Sequence, residues 1–149
     1  EGPFTVEMFG DEAHALREAG NEYGAATKRP RRVGAFDVVA SKYGILAQGA
    51  DKLALTKLDV LSGIDKIPVC VAYDIDGVVT ETFPTGEALN HAKPIFEYID
   101  GWKEDISLCR TKESLPDNAK KYIDFLEKKL GQKMWLVSVG PERESYIMM

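Results

Sequence analysis

The stretch bounded by Pro116 and Gly131 constrains the fold more than any other part of the chain. Proline suits the first helical position, and glycine suits the left-handed position that ends a helix. Between them Ala119, Tyr122, Ile123, Leu126 and Leu130 recur at helical spacing, so Pro116–Leu130 is expected to be a helix with one apolar stripe. Met134–Val139 then reads as a strand ending in Gly140-Pro141. Upstream, Ile67–Tyr73 and Val78–Phe83 are β-rich runs joined by Asp74-Ile75-Asp76-Gly77, and Asp-Gly is a strong hairpin signal. Helices, strands, a hairpin and a closing helix–strand pair together specify an α/β chain with an antiparallel excursion.

The remaining segments are read in the same way. Gly10–Gly20 is expected to be a short helix with Asp11 as N-cap and Gly20 as stop. Gly24–Gly34 is glycine-bounded, basic and broken by proline, hence a loop. Ala35–Ala47 resumes helical spacing, with Phe36, Val39, Ala40, Tyr43, Leu46 and Ala47 on one stripe. Lys52–Val60 reads as a buried strand running into a loop. Pro84–Trp102 reads as irregular, with a short helix near Glu87.

With 149 residues, 44% of them hydrophobic, the chain can bury a core as one domain or as part of a larger one. No apolar stretch approaches the ~20 residues of a membrane span, and residues 1–20 carry acids where a signal peptide would be apolar. The chain starts at Glu1 without methionine and is read as a fragment or a processed chain. Cys70 and Cys109 are too few and too far apart for a disulfide scaffold, which fits reduced thiols in a cytoplasmic protein.

Against a net charge of -5, the run Ala25-Ala26-Thr27-Lys28-Arg29-Pro30-Arg31-Arg32 is a local basic knot. Pro30 biases Arg29 towards extended backbone, where Arg29 and Arg31 face the same side. Two guanidinium forks on one side can grip carboxylate or phosphate bidentately. The alternatives are a solvated charge run or an import tract. The acidic balance argues against a nucleic-acid surface.

A second motif is Thr56-Lys57-Leu58-Asp59. If extended, Lys57 and Asp59 share a face. A carboxylate there accepts from guanine N1–H and its 2-amino group, and adenine lacks that pairing. The plain alternative is an ion pair at a strand edge. Ser138-Val139-Gly140 follows a strand end, where ligands of open α/β sheets sit. Its serine and exposed amides can meet a nucleobase carbonyl, although a simple turn would look the same. His14 and His91 stand alone, and Asp74/Asp76/Gly77 is read as a hairpin turn.

Taken in order, these motifs make the chain similar to the C-terminal part of the adenylosuccinate synthetase family. The resemblance also rests on Gly20-Asn21-Glu22-Tyr23-Gly24, Val69-Cys70-Val71-Ala72-Tyr73, Pro94-Ile95-Phe96-Glu97, Gly101-Trp102 and Pro141-Glu142-Arg143. It implies a P-loop-NTPase-like fold with a mixed, mostly parallel sheet, flanking helices and an antiparallel hairpin, here only its C-terminal part. It implies GTP-dependent joining of L-aspartate to IMP, in the cytoplasm, by a protein that is a homodimer at full length and has no nucleic-acid or membrane partner. The loop matching Ala25, Ala26, Thr27, Lys28, Arg29, Pro30 and Arg31 would close over aspartate. Arg29 would contact IMP and Arg31 the GTP side. Lys57, Leu58 and Asp59, with Ser138, Val139 and Gly140, would read guanine. Magnesium ligands, the phosphate loop and the catalytic aspartate and histidine are expected in an N-terminal part, so residues 1–149 are expected to be inactive alone.

This chain departs from the family pattern at three positions. Ala26 and Lys28 stand where threonine and glycine are usual, and Ala35 stands where tryptophan is usual. Lysine does not readily hold positive φ, should the loop need it. Two other classes remain open from the residues alone, a noncatalytic guanine-nucleotide-binding module and an interaction domain built on Lys28–Arg32.

Overall fold

The computed structural model describes residues 2–149. They form two compact units, one of residues up to Tyr43 with Pro68–Glu97, the other of Gly44–Ile67 with Tyr98–Met149.

In the first unit, helix α1 spans Gly10–Gly20 and strand β1 spans Phe36–Asp37, and helix α2 (Val38–Gln48) contributes its residues up to Tyr43. Strands β3 (Lys66–Ile75) and β4 (Val78–Thr80) form the expected hairpin. Asp76 (φ 53°) and Gly77 (φ 87°) take the positive angles of its two-residue turn, and Asp74 Oδ1 accepts from Gly77 N at 2.7 Å. β1 lies parallel to β3, with Phe36 opposite Val69 and Asp37 opposite Cys70. Helix α3 (Ala88–His91) leads into β5 (Ala92–Asp100), which also pairs with β3.

The core of this unit gathers Val6, Val39, Cys70 and Tyr73 beneath Phe4, Ala35, Ile75, Phe83, Ala92 and Phe96. Asp37 organises its polar edge, accepting from Ala40 N at 3.0 Å and from the Tyr73 hydroxyl. Burial, aided by the charge of Asp37, pushes the Cys70 thiol up to about 12, so it stays protonated. Gly34 is required by close approach, because a Cβ there would lie 2.2 Å from Val6 O.

In the second unit, β2 (Leu53–Leu55) lies parallel to β6 (Met134–Ser138), and β7 (Tyr146–Met148) runs antiparallel to β6. Helix α4 spans Asp117–Leu130 and buries Ala119, Tyr122, Ile123 and Leu126 as the stripe requires. Gly131 closes it in the left-handed conformation at φ 74°. The stripe has an unexpected member in Glu127, only 6% exposed. Its carboxylate accepts from Met134 N at 2.8 Å and from Lys133 Nζ at 2.6 Å, tying the helix end to the start of β6. A buried carboxylate is tolerated because both its oxygens are engaged.

Several expectations are corrected. Pro116 precedes α4 as its cap instead of occupying its first helical position. Asp11 lies within the first turn of α1, Phe9 is the capping residue, and Asn21, not Gly20, takes the left-handed C-cap. Phe36 belongs to β1, and Tyr43 and Leu46 are 48% and 81% exposed, so the stripe drawn over Ala35–Ala47 is not a buried face. Lys52–Val60 is a three-residue, incompletely buried strand followed by a 3₁₀ turn over Leu58–Leu61. Pro84–Trp102 holds the nine-residue β5, whose pairing with β3 gives order to a segment with little alternation of its own. None of the helices among the described residues is long and apolar enough to cross a membrane.

Candidate functional site

The basic run forms the tip of a hairpin-like loop in the first unit. Tyr23 and Pro30 make an antiparallel bridge. Gly24 N donates to Arg29 O, Lys28 N to Gly24 O and Arg31 N to Glu22 O, each at 2.9 Å. Ala25, Ala26, Thr27, Lys28, Arg29, Pro30 and Arg31 are all exposed. Pro30 is bridged as extended backbone, so Arg29 and Arg31 flank it as the steric bias of proline requires. Closing the turn needs one left-handed residue, and Lys28 takes it at φ 53°. This is the position where glycine would be unstrained. Thr27 folds inward over Gly24, and its Oγ1 would lie 2.7 Å from a Cβ placed there.

The four cations have different surroundings. Arg32 bonds Glu7 through Nε at 2.8 Å and Nη2 at 2.6 Å, donates from Nη1 to Gly2 O at 2.8 Å, and lies 5.3 Å from the Phe4 ring centre. The hydrogen bond from Arg32 holds the Glu7 carboxyl below its usual range and raises Arg32 in turn. Arg31 pairs with Glu22 at 3.1 Å. The side chains of Lys28 and Arg29 meet no partner among the described residues. Glu22 is a member of this site that the sequence did not single out, although its motif Gly20-Asn21-Glu22-Tyr23-Gly24 is plain there; only an acid beside a basic run signals the pairing.

The second candidate lies in the second unit, at the C-terminal ends of β2 and β6. Parallel pairing of Leu55 with Val137 brings Thr56–Asp59 beside Ser138. Lys57 N donates to Ser138 Oγ at 2.8 Å, across 81 positions of sequence. The two segments nominated separately as guanine readers therefore meet. Lys57 is left-handed, at φ 60° and ψ 38°, and Leu58 is 1% exposed beneath it. Contrary to expectation, Lys57 and Asp59 do not share the face of an extended strand, because a 3₁₀ turn places them.

Asp59 Oδ1 is buried and has no hydrogen-bond partner, the single such side-chain atom among the described residues. An unsatisfied buried acceptor costs about 1–3 kcal/mol, so one that persists calls for an explanation. A ligand N–H would satisfy it. Val139 is fully buried, and its N–H is committed to Ser145 O at 2.8 Å, which removes it from the free amides expected there. The Ser138 hydroxyl accepts from Lys57 N and keeps its own proton to donate. Gly140 packs against Ser145, whose Cβ and Oγ would stand 3.1 Å from an added Cβ.

A metal ion fits neither place. Among the described residues no cluster of three His, Cys, Asp or Glu side chains could hold one. His91 lies near Asp76 and Glu87, at 3.3 and 3.6 Å, but all three are exposed surface groups.

Comparison with known proteins is consistent along the chain. The adenylosuccinate synthetase family profile matches residues 1–147. The adenylosuccinate synthetase of Renibacterium salmoninarum is 48% identical over 148 residues, covering 99% of this chain and 34% of that protein. That of Caldicellulosiruptor bescii is 44% identical over 150 residues, covering 99% of this chain and 35% of that one. The solved structure of fully ligated adenylosuccinate synthetase from Plasmodium falciparum superposes with a TM-score of 0.93 at 41% identity, over 100% of this chain and 36% of that chain. The chain spans about a third of the length of the curated relatives it matches.

Proposed function

The chain belongs to the adenylosuccinate synthetase family, and from that premise we propose that it supplies the guanine-reading and aspartate-gripping parts of a GTP-dependent ligase joining L-aspartate to IMP. The observation that carries this reading is the buried, unpartnered Asp59 Oδ1 beside the Lys57–Ser138 bond. Guanine presents two adjacent donors, N1–H and the 2-amino group, to such a carboxylate. Adenine presents an acceptor at N1 and would leave the buried oxygen unpaired. The Lys57 stem can lie along the base with its ammonium in water, and the Ser138 hydroxyl can donate to the 6-carbonyl.

In the first unit, Arg29 and Arg31 take the carboxylates of aspartate, with Arg29 also meeting IMP and Arg31 the GTP side. Fixing the amino acid by its carboxylates leaves its amine free to attack the purine C6 and expel inorganic phosphate, once the 6-oxygen has accepted the γ-phosphoryl group of GTP and GDP has left. Magnesium would assist that phosphoryl transfer in the intact protein. Among the described residues no cluster of carboxylates, histidines or cysteines could hold it. The catalytic groups lie in the remainder of the protein, which acts as a cytoplasmic homodimer.

The test is a coupled turnover assay with IMP, GTP, L-aspartate and magnesium. The intact protein is expected to turn over and the isolated 149-residue chain to be inactive. Turnover by the isolated chain would overturn the half-site assignment. An inactive but folded intact protein that still binds GDP would instead favour a noncatalytic guanine-nucleotide module.

A further inference from the structure

Arg31 differs from its neighbours in how it is held. Its main chain is fixed on both sides, since its N donates to Glu22 O at 2.9 Å and its O accepts from Arg17 Nε at 2.9 Å. Its side chain makes one bond, from Nη1 to Glu22 Oε2 at 3.1 Å. Among the described residues Nε and Nη2 have no partner. Arg32, by contrast, has Nε, Nη1 and Nη2 all engaged, and the Arg29 guanidinium has no partner among the described residues. Glu22 is also the more buried member of its pair, with side-chain exposures of 22% for Glu22 and 55% for Arg31.

A guanidinium has two edges that each present a pair of parallel N–H groups to a carboxylate. A partner on Nη1 alone restrains the group and leaves the Nε–Nη2 edge open to a ligand. We propose that Glu22 is a positioning residue, which orients Arg31 so that this edge receives a ligand carboxylate bidentately. The inference deepens, and rests on, the reading of this loop as the grip for a dicarboxylate amino acid. The cations then divide by role. Arg32 braces the loop, Arg31 is an aimed receptor, and Lys28 and Arg29 are unheld cations that settle on the ligand when it arrives. Aiming matters because a long exposed side chain otherwise loses its rotamer freedom at the moment of binding.

The experiment compares Glu22→Ala and Glu22→Gln with the unsubstituted intact protein. Glu22→Ala is expected to raise KM for L-aspartate roughly fivefold, the scale of one exposed ion pair, with kcat within about twofold and KM for GTP unchanged. Glu22→Gln keeps an acceptor for Nη1 and is expected to recover part of that loss. A lowered KM in either variant would make Glu22 a competitor for Arg31 and overturn the proposal. So would an unchanged KM beside a lowered melting temperature, which is the mark of a purely structural role. Calorimetric titration with succinate, an unreactive dicarboxylate, reads the same grip without catalysis. If the unsubstituted protein shows no turnover, the ligase reading fails by itself. Weaker succinate binding by Glu22→Ala would still support the positioning role. Equal binding, or none to the unsubstituted protein, would overturn it.

Discussion

The basic loop of the first unit and the Lys57–Ser138 corner of the second present their polar groups in opposite ways. The loop keeps its charges outside: Ala25–Arg31 are exposed, backbone bonds close its turn, and the side chains of two of its cations are unheld. The corner keeps its key group inside, with the neighbouring Leu58 in the chain and Val139 both buried, Lys57 N fixed on Ser138 Oγ, and Asp59 Oδ1 withdrawn from water unpaired. The difference fits the roles proposed for the two places. Carboxylates are strongly hydrated, and an exposed loop can collect them with little cost before binding. Discrimination between two purines needs a desolvated acceptor whose loss of pairing is costly, and that requires a rigid, dry setting.

Breaking the loop at its root gives the largest effect. Gly34→Ala would drive a Cβ to within 2.2 Å of Val6 O, a backbone clash expected to cost about 3 kcal/mol or more. Chemical denaturation should show this loss, and L-aspartate dependence should fail together with stability. Asp59→Asn sharpens the other side. GTP or GDP affinity should fall about 10- to 100-fold, as loss of a buried charged acceptor implies, while the melting temperature holds. The asparagine amide can donate where the carboxylate accepted, so calorimetry should show xanthine nucleotides, with a 2-carbonyl, recovering part of the binding.

Ser138→Ala removes the acceptor for Lys57 N and should cost about 1 kcal/mol in stability, together with a several-fold rise in KM for GTP but not for aspartate. Lys28→Gly acts in the stabilising direction. It relieves a left-handed lysine at φ 53° and should raise stability by up to about 1 kcal/mol, while removing one cation from the tip. A thermal melt separates these two variants by sign.

The smallest effect is one of pH. Arg32 holds the Glu7 carboxyl below its ordinary value. The stabilisation it gives is therefore present above the ordinary carboxylate pKa and is lost as pH falls through the lowered value. Acid melts of the intact protein and of Glu7→Gln should converge in that window and differ above it. Convergence at neutral pH would show that the Glu7–Arg32 pair contributes nothing to the loop.

Much of this was legible in the chain because the signals were local. Asp76-Gly77 specifies its hairpin by turn chemistry, and the stripe from Ala119 to Leu126 with Gly131 specifies α4. The elements that were missed lack such signals. β5 contains Pro94 and is largely half-exposed or exposed, so only its pairing with β3 makes it a strand. Leu58–Leu61 carries no cap motif that would separate a 3₁₀ turn from a continuing strand. The residue types of both candidate sites were also readable, since guanidinium forks and a carboxylate two residues from a lysine have recognisable chemistry.

The sequence by itself therefore determined the α/β alternation, the basic tip and the residue types of the corner proposed to read a purine. Tertiary structure alone decided which cations are bound internally and which are open, because Glu7 and Glu22 reach Arg32 and Arg31 only when the loop folds back. It alone decided that Lys57 meets Ser138, because that bond depends on the register of β2 on β6. It alone left Asp59 Oδ1 buried without a partner. The physical reason is common to all three. Local chemistry is written in neighbouring residues, whereas burial and pairing depend on groups that only the packed chain brings together.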